Sequence, residues 1–133
     1  MEKKCVFCQI AKGKIPAQVI YENKQLLAFL DNQPEASGHI LIIPKEHFAT
    51  LLDVPADILT NLVRVLQKIA QNIANQLHPD GFNVYQNSGS FAGQTINHLH
   101  FHLIPRYRQD PSIDKKNFPL IVKTLRKEII SYD

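Results

Sequence analysis

The chain has 133 residues, of which 44% are hydrophobic and 20% charged, and its net charge is +3. That length fits a single domain, 1–133, able to bury about two thirds of its unfolded surface without covalent staples, and the balance of apolar and charged residues excludes a disordered chain. No long apolar run stands behind the basic N-terminus, so neither a leader peptide nor a membrane span is expected, and the protein reads as cytoplasmic.

Both cysteines lie at the start, in Cys5-Val6-Phe7-Cys8. A disulfide is disfavoured in a reducing compartment, and a thioredoxin-type motif lacks its βαβ context. The pair is half of a tetrahedral zinc site that needs two more ligands, which His39, His47, His78 or a later histidine cluster could supply; two plain thiols are the alternative. Ile15-Pro16 then breaks any helix. Residues 19–21 and 26–30 have strand composition around the turn Glu22-Asn23-Lys24-Gln25. Residues 31–38 are rich in Asn, Pro, Ser and Gly and form a loop. His39-Ile40-Leu41-Ile42-Ile43 predicts a strand covered on both faces and ended by Pro44.

Pro55 opens a long amphipathic helix over 56–77. Ile58, Leu59, Leu62, Leu66, Ile69, Ile73 and Leu77 recur at helical spacing, while Asn61, Arg64, Gln67, Lys68, Gln71 and Asn75 face away. The stripe is core packing and holds no cofactor motif. His78-Pro79-Asp80-Gly81 stops the helix, residues 81–86 form another strand, and 87–93 form a loop of small residues. A final amphipathic stretch, about 117–132, predicts a C-terminal helix. Its neighbourhood is basic: residues 106–127 hold seven Lys/Arg against two acids, a solvated surface rather than a nucleic-acid groove. Strands joined by short turns around one long helix predict an α+β domain with an antiparallel sheet of about five strands.

The most informative segment is Gly93-Gln94-Thr95-Ile96-Asn97-His98-Leu99-His100-Phe101-His102-Leu103-Ile104-Pro105, which holds three of the six histidines. Read as a strand, it places His98, His100 and His102 on one face, with Leu99, Phe101 and Leu103 turned to a core. The outer histidines would stand about 13 Å apart, too far for all three to hold one small ion. A neutral imidazole with one nitrogen anchored through its proton is a competent nucleophile at neutral pH. Phosphorus suits it as electrophile, because the resulting P–N bond can be cleaved later by water.

The run from His98 to Ile104 resembles the signature of the histidine triad (HIT) family. The resemblance extends to Gly93-Gln94-Thr95 before it, and to Ile15-Pro16-Ala17, Leu27 to Asp31, Gly38 to His47 and Asn87-Ser88-Gly89, covering about residues 5–108. It implies a nucleotide hydrolase of the nucleoside-phosphoramidate or dinucleoside-polyphosphate kind, acting at the α-phosphate through a covalent nucleotidyl-histidine. By resemblance His100 is the nucleophile, His102 contacts the phosphate and assists proton transfer, and His98 orients the centre. Asn87, Gly93, Gln94 and Thr95 match phosphate contacts, and Asp31 matches an acid that accepts the ribose hydroxyls. Phe7, Ile10 and Phe29 or Leu30 would line the purine slot, with Asn32 at its mouth. Related sugar-phosphate nucleotidyltransferases imply Cys5, Cys8, His47 and His98 as the ligands of a structural zinc, and no organic cofactor is implied. The family also implies a homodimer built on the long helix and a strand edge. Asn32 and Asn97 stand where relatives carry apolar or aromatic residues, and Pro105-Arg106-Tyr107 leaves the identity of the leaving group open. The competing readings are a nucleotidyltransferase, for whose acceptor 133 residues leave little room, and a nucleotide-binding regulatory or scaffold module.

Overall fold

The computed structural model describes residues 5–109 and 115–126. In chain order the elements are α1 (Val6–Ala11), β1 (Val19–Glu22), β2 (Leu26–Leu30), β3 (Ile40–Pro44), α2 (Ala56–Leu77), β4 (Gly81–Tyr85), β5 (Phe101–Arg106) and α3 (Phe118–Arg126). The five strands form one sheet in the order β1-β2-β3-β5-β4, and every neighbouring pair is antiparallel. This is the expected α+β architecture.

The register sorts the side chains into two layers. Ile40 opposes Leu103 and Ile42 opposes Phe101, and all four join the core beneath α2 and α3. Leu41 opposes His102, Phe29 opposes Leu41 and Leu27 opposes Ile43; Leu27, Phe29, Leu41 and Ile43 form a second cluster with Phe7 of α1 on the other face. Strands β2 and β3 are therefore buried on both sides, which explains why neither shows polar alternation. The second layer is where the histidines lie.

Helix α2 buries Leu62, Val65, Leu66, Ile69 and Ile73 against the sheet. Each fully buried Leu or Ile among them stabilises the fold by roughly 1.5–3 kcal/mol. The helix carries no side-chain N-cap at Pro55 and ends where His78 turns left-handed, at φ 52°. Asn72, placed on the buried stripe, donates through Nδ2 to the Leu125 carbonyl at 2.6 Å and ties α3 to α2. The predicted C-terminal helix is present over Phe118–Arg126; its expected continuation to 132 lies outside the described residues. Val6–Ala11, for which no helix was expected, forms α1, whose start is capped by the Cys5 sulfur accepting from the Cys8 N–H at 3.4 Å.

Candidate active site and cysteine–histidine cluster

The triad is only half strand. Strand β5 begins at Phe101, and residues 98–100 approach it in an irregular conformation in which His98, Leu99 and His100 are all buried. This corrects the expectation of one continuous strand, and the cause lies in hydrogen bonding. The Leu99 N–H donates to the Phe48 carbonyl at 2.7 Å and the His98 N–H to the Ile96 carbonyl at 2.8 Å. These bonds take the backbone out of the sheet ladder. The three rings still gather on the α1 side: Phe7 meets His98 and His100 edge-on at 5.9 and 5.2 Å, and His100 meets His102 at 5.1 Å.

Each histidine has one proton whose position its partners dictate. His98 Nε2 lies 2.8 Å from the Pro44 carbonyl, which can only accept, so Nε2 carries the proton and Nδ1 presents a lone pair. His100 Nδ1 lies 2.7 Å from the His98 carbonyl, so its proton is on Nδ1 and Nε2 is bare. For His102 the chain starts further away. The Glu35 N–H donates to His39 Nδ1 at 3.0 Å, leaving the His39 proton on Nε2, which donates to His102 Nδ1 at 3.0 Å. His102 therefore keeps its proton on Nε2. One ring offers a lone pair and its neighbour offers an N–H.

His39, considered in sequence only as one zinc candidate among several, is 2% exposed and belongs to this chain of hydrogen bonds. Burial lowers its pKa below the usual range. His102 is pushed down to about 4, first by burial and then by the neighbouring His100 and His39. Both rings are thus neutral at pH 7. The native state refuses protons that the unfolded chain accepts below about pH 6.5, so this contribution to stability is complete above that pH and lost as pH falls toward 4. Thermal melts between pH 7 and 4.5 should show a falling Tm, and His102→Gln should flatten the slope. An unchanged slope would refute the assignment. Asp31, His39 and His102 also bring three ligand atoms within 4.8 Å of one another. Metal binding there would need the His39 Nε2 lone pair, yet that nitrogen holds the proton, so the trio is a hydrogen-bonded chain.

The rings border a cleft of about 780 Å³, lined by Phe7, Ile10, Phe29, Asp31, Asn32, Thr95, His100 and His102 among others. Leu30 also borders it, but its side chain belongs to the helix-side core. Phe118 of α3, read simply as part of an amphipathic stretch, also borders it, and its side chain likewise belongs to the helix-side core. Asp31 Oδ1 accepts the Gln33 N–H at 2.9 Å in an Asx turn, and Oδ2 stands 3.5 Å from His39 Nε2.

The loop from Asn87 to Thr95 differs from a simple cradle. The N–H groups of Ala92, Gly93 and Gln94 close the turn on Gly89 and Ser90 carbonyls. Gln94 Oε1 accepts the Gly89 N–H at 2.7 Å, and Nε2 donates to the Ala49 and Ile96 carbonyls at 2.7 and 3.0 Å. Gln94 braces the loop, with both ends of its amide engaged by backbone groups. Gly93 has φ +93°, and an added Cβ would stand 3.2 Å from Asn87 Nδ2. Thr95 is among the residues that line the cleft.

Beneath the rings, Cys5, Cys8, His47 and His98 place one ligand atom each within 4.8 Å of one another. Cys5 Sγ and Cys8 Sγ lie 3.3 and 3.5 Å from His98 Nδ1, and Cys8 Sγ lies 3.2 Å from His47 Nδ1. A tetrahedral zinc with bonds of roughly 2.3 Å to sulfur and 2.0 Å to nitrogen has S···N edges of about 3.5 Å. The donor set therefore fits zinc in size, in chemistry and in the unprotonated Nδ1 of His98.

An antiparallel five-stranded α+β sheet carrying this histidine cluster at its centre defines a class, and comparison with known proteins places the chain within it. Residues 12–109 match the HIT domain, and the chain belongs to that family. It is 43% identical over 111 residues to an uncharacterised HIT-like protein of Methanocaldococcus jannaschii, covering 84% of this chain and 85% of the relative. It is 35% identical over 132 residues to the adenosine 5′-monophosphoramidase of Schizosaccharomyces pombe, covering 96% of each. Among solved structures, a zinc-bound histidine triad family protein of Mycobacterium smegmatis superposes with a TM-score of 0.87 at 33% identity, over the whole of both chains.

Proposed function

We propose that the protein is a nucleotide hydrolase that cleaves purine nucleotide conjugates at the α-phosphate through a covalent nucleotidyl-His100. The observation that carries this reading is the opposed polarity of two adjacent rings at the cleft. His100 Nε2 has a lone pair, locked by the Nδ1 bond to the His98 carbonyl, and His102 has an Nε2–H, locked by the bond from His39. A phosphoryl group needs both: a nucleophile for phosphorus and a donor for its oxygens.

In the first half-reaction His100 Nε2 bonds to phosphorus and the bond to the leaving group breaks, while His102 donates to a phosphate oxygen. In the second, water attacks phosphorus and the P–N bond breaks, releasing the nucleoside monophosphate. Over both halves water supplies the oxygen to phosphorus and the proton to the leaving group. The nucleoside lies along Phe7, Ile10 and Phe29, with Asp31 accepting the ribose hydroxyls through Oδ2, Asn32 at the mouth, and Thr95 beside the phosphate. Asn87 and Gly93 shape the loop behind it. Assaying adenosine phosphoramidate and diadenosine tetraphosphate side by side, with His100→Ala as control, tests the reading and ranks the leaving groups.

Cys5, Cys8, His47 and His98 would hold a structural zinc that fixes α1 and the tautomer of His98, consistent with a cytoplasmic setting in which the thiols stay reduced. Two copies would join through α2 and the β4 edge, where Val63 and Val84 are 47% and 51% exposed. Light scattering at micromolar concentration should give twice the mass of the chain; a stable monomer would count against this interface.

A further inference from the structure

His102 is gripped at a second place, on its flat face. Tyr85, the last residue of β4, is the cross-strand partner of His102, and the two rings stack with centroids 4.3 Å apart and planes 15° from parallel. The phenol is itself held. Its O–H donates to Glu35 Oε2 at 2.9 Å, and Glu35 Oε1 accepts from Arg106 Nη2 at 3.1 Å, whose Nε donates to Asn83 Oδ1 at 2.7 Å. Burial and Glu35 hold the Tyr85 phenol up at about 12, so it remains a donor throughout the neutral range. The Tyr85 bond in turn lowers the pKa of Glu35, so its carboxylate stays ionised.

Glu35 is thus a hub with two arms that end on the same ring. Its backbone N–H sets the tautomer of His39, which holds the edge of His102 at Nδ1, and its carboxylate holds Tyr85, which covers the face. With Cγ fixed to Cβ, one hydrogen bond at Nδ1 is a single restraint on χ1 and χ2, and it leaves the ring plane room to rock. A stacked ring removes that freedom.

We infer that Tyr85 is a positioning residue for the reaction proposed above: clamped by Glu35 and Arg106, it fixes the plane of His102 so that the Nε2–H points at the transferring phosphoryl group. The inference rests on that reading for its catalytic consequence, though the clamp on the ring is independent of it. Misaim of a donor should slow the chemical step more than it weakens substrate binding.

Kinetics and ring spectroscopy test it together. Tyr85→Leu should lower kcat about tenfold or more with KM changed less than about twofold, and Tyr85→Phe, which keeps the stack, should fall between it and wild type. In a His102→Ala background Tyr85→Leu should have almost no further effect, because there is no ring left to aim. Imidazole ¹⁵N spectra should show one His102 tautomer, protonated at Nε2, in wild type and in Tyr85→Phe, and averaged nitrogen signals in Tyr85→Leu. The clamp is overturned if Tyr85→Leu leaves the His102 signals unchanged, or if its loss of kcat multiplies undiminished with that of His102→Ala. Should Tyr85→Leu fail to fold, Arg106→Gln, which loosens the Glu35 bracket from outside, is read by the same spectra, and unchanged signals there overturn the hub. Absence of any turnover in wild type would instead overturn the hydrolase reading and leave the spectra to decide the clamp.

Discussion

Replacing His100 with alanine should abolish turnover while leaving nucleotide affinity within a few-fold of wild type. The expected loss is on the order of 10⁴ or more, because removing a covalent nucleophile leaves only electrostatic stabilisation of the transition state. Binding should survive because Ile10, Phe29 and Asp31 still line the cleft when the imidazole is removed, although Phe7 loses one ring contact. The substitution is not free of structural effect: His100 is 4% exposed and its ring packs on Phe7, so a thermal melt must accompany the assay. Quenching wild type during turnover should yield a nucleotidyl adduct on the peptide that contains His100. His102→Ala should cost less, since it removes a hydrogen-bond donor and leaves the nucleophile in place. Near-normal activity of His100→Ala would sink the covalent mechanism and favour a nucleotide-binding module.

How far such a site can be read from sequence depends on whether each interaction is local. The helix over 56–77 was legible to the residue because its apolar stripe repeats within the helix itself, and β3 was legible because both its faces are apolar. Cys5, Cys8, His47 and His98 were grouped as candidate zinc ligands by resemblance, and the fold brings one ligand atom of each within 4.8 Å of the others. What remained hidden depends on register and on backbone partners. The apolar–histidine alternation of His98–His100 reads as strand, and the long-range bond that helps pull the segment out of the ladder comes from Phe48, far away in sequence. Gln94 matches a phosphate contact by resemblance, and in the fold its amide is engaged by Gly89, Ala49 and Ile96. Tyr85 and His102 are 17 positions apart in sequence and become neighbours only through the β4–β5 pairing. Glu35 was one more polar residue in a loop until its N–H and its carboxylate were seen to serve different partners.

Mutating Cys5 and Cys8 together to serine should have the second large effect, and it tests the cluster through composition and folding as well as activity. The purified wild type should contain about one zinc per chain, and the double variant essentially none, since two hydroxyls are poor zinc ligands beside two imidazoles. The structural consequence follows from what the cluster joins. Cys5 and Cys8 belong to α1 and its cap, His47 follows β3, and His98 is the first member of the triad. Helix α1 has six residues, too few to persist without tertiary support. It carries Phe7, which packs on Phe29, His98 and His100. Loss of the ion should therefore raise proteolytic cleavage and amide exchange within residues 5–11, lower the Tm by several degrees, and reduce activity through the misplaced His98 carbonyl that orients His100. Chelation of wild type should reproduce these changes, and added zinc should reverse them there but not in the double variant. Zinc-free protein with an unaltered Tm and intact activity would leave the two cysteines as ordinary packing residues.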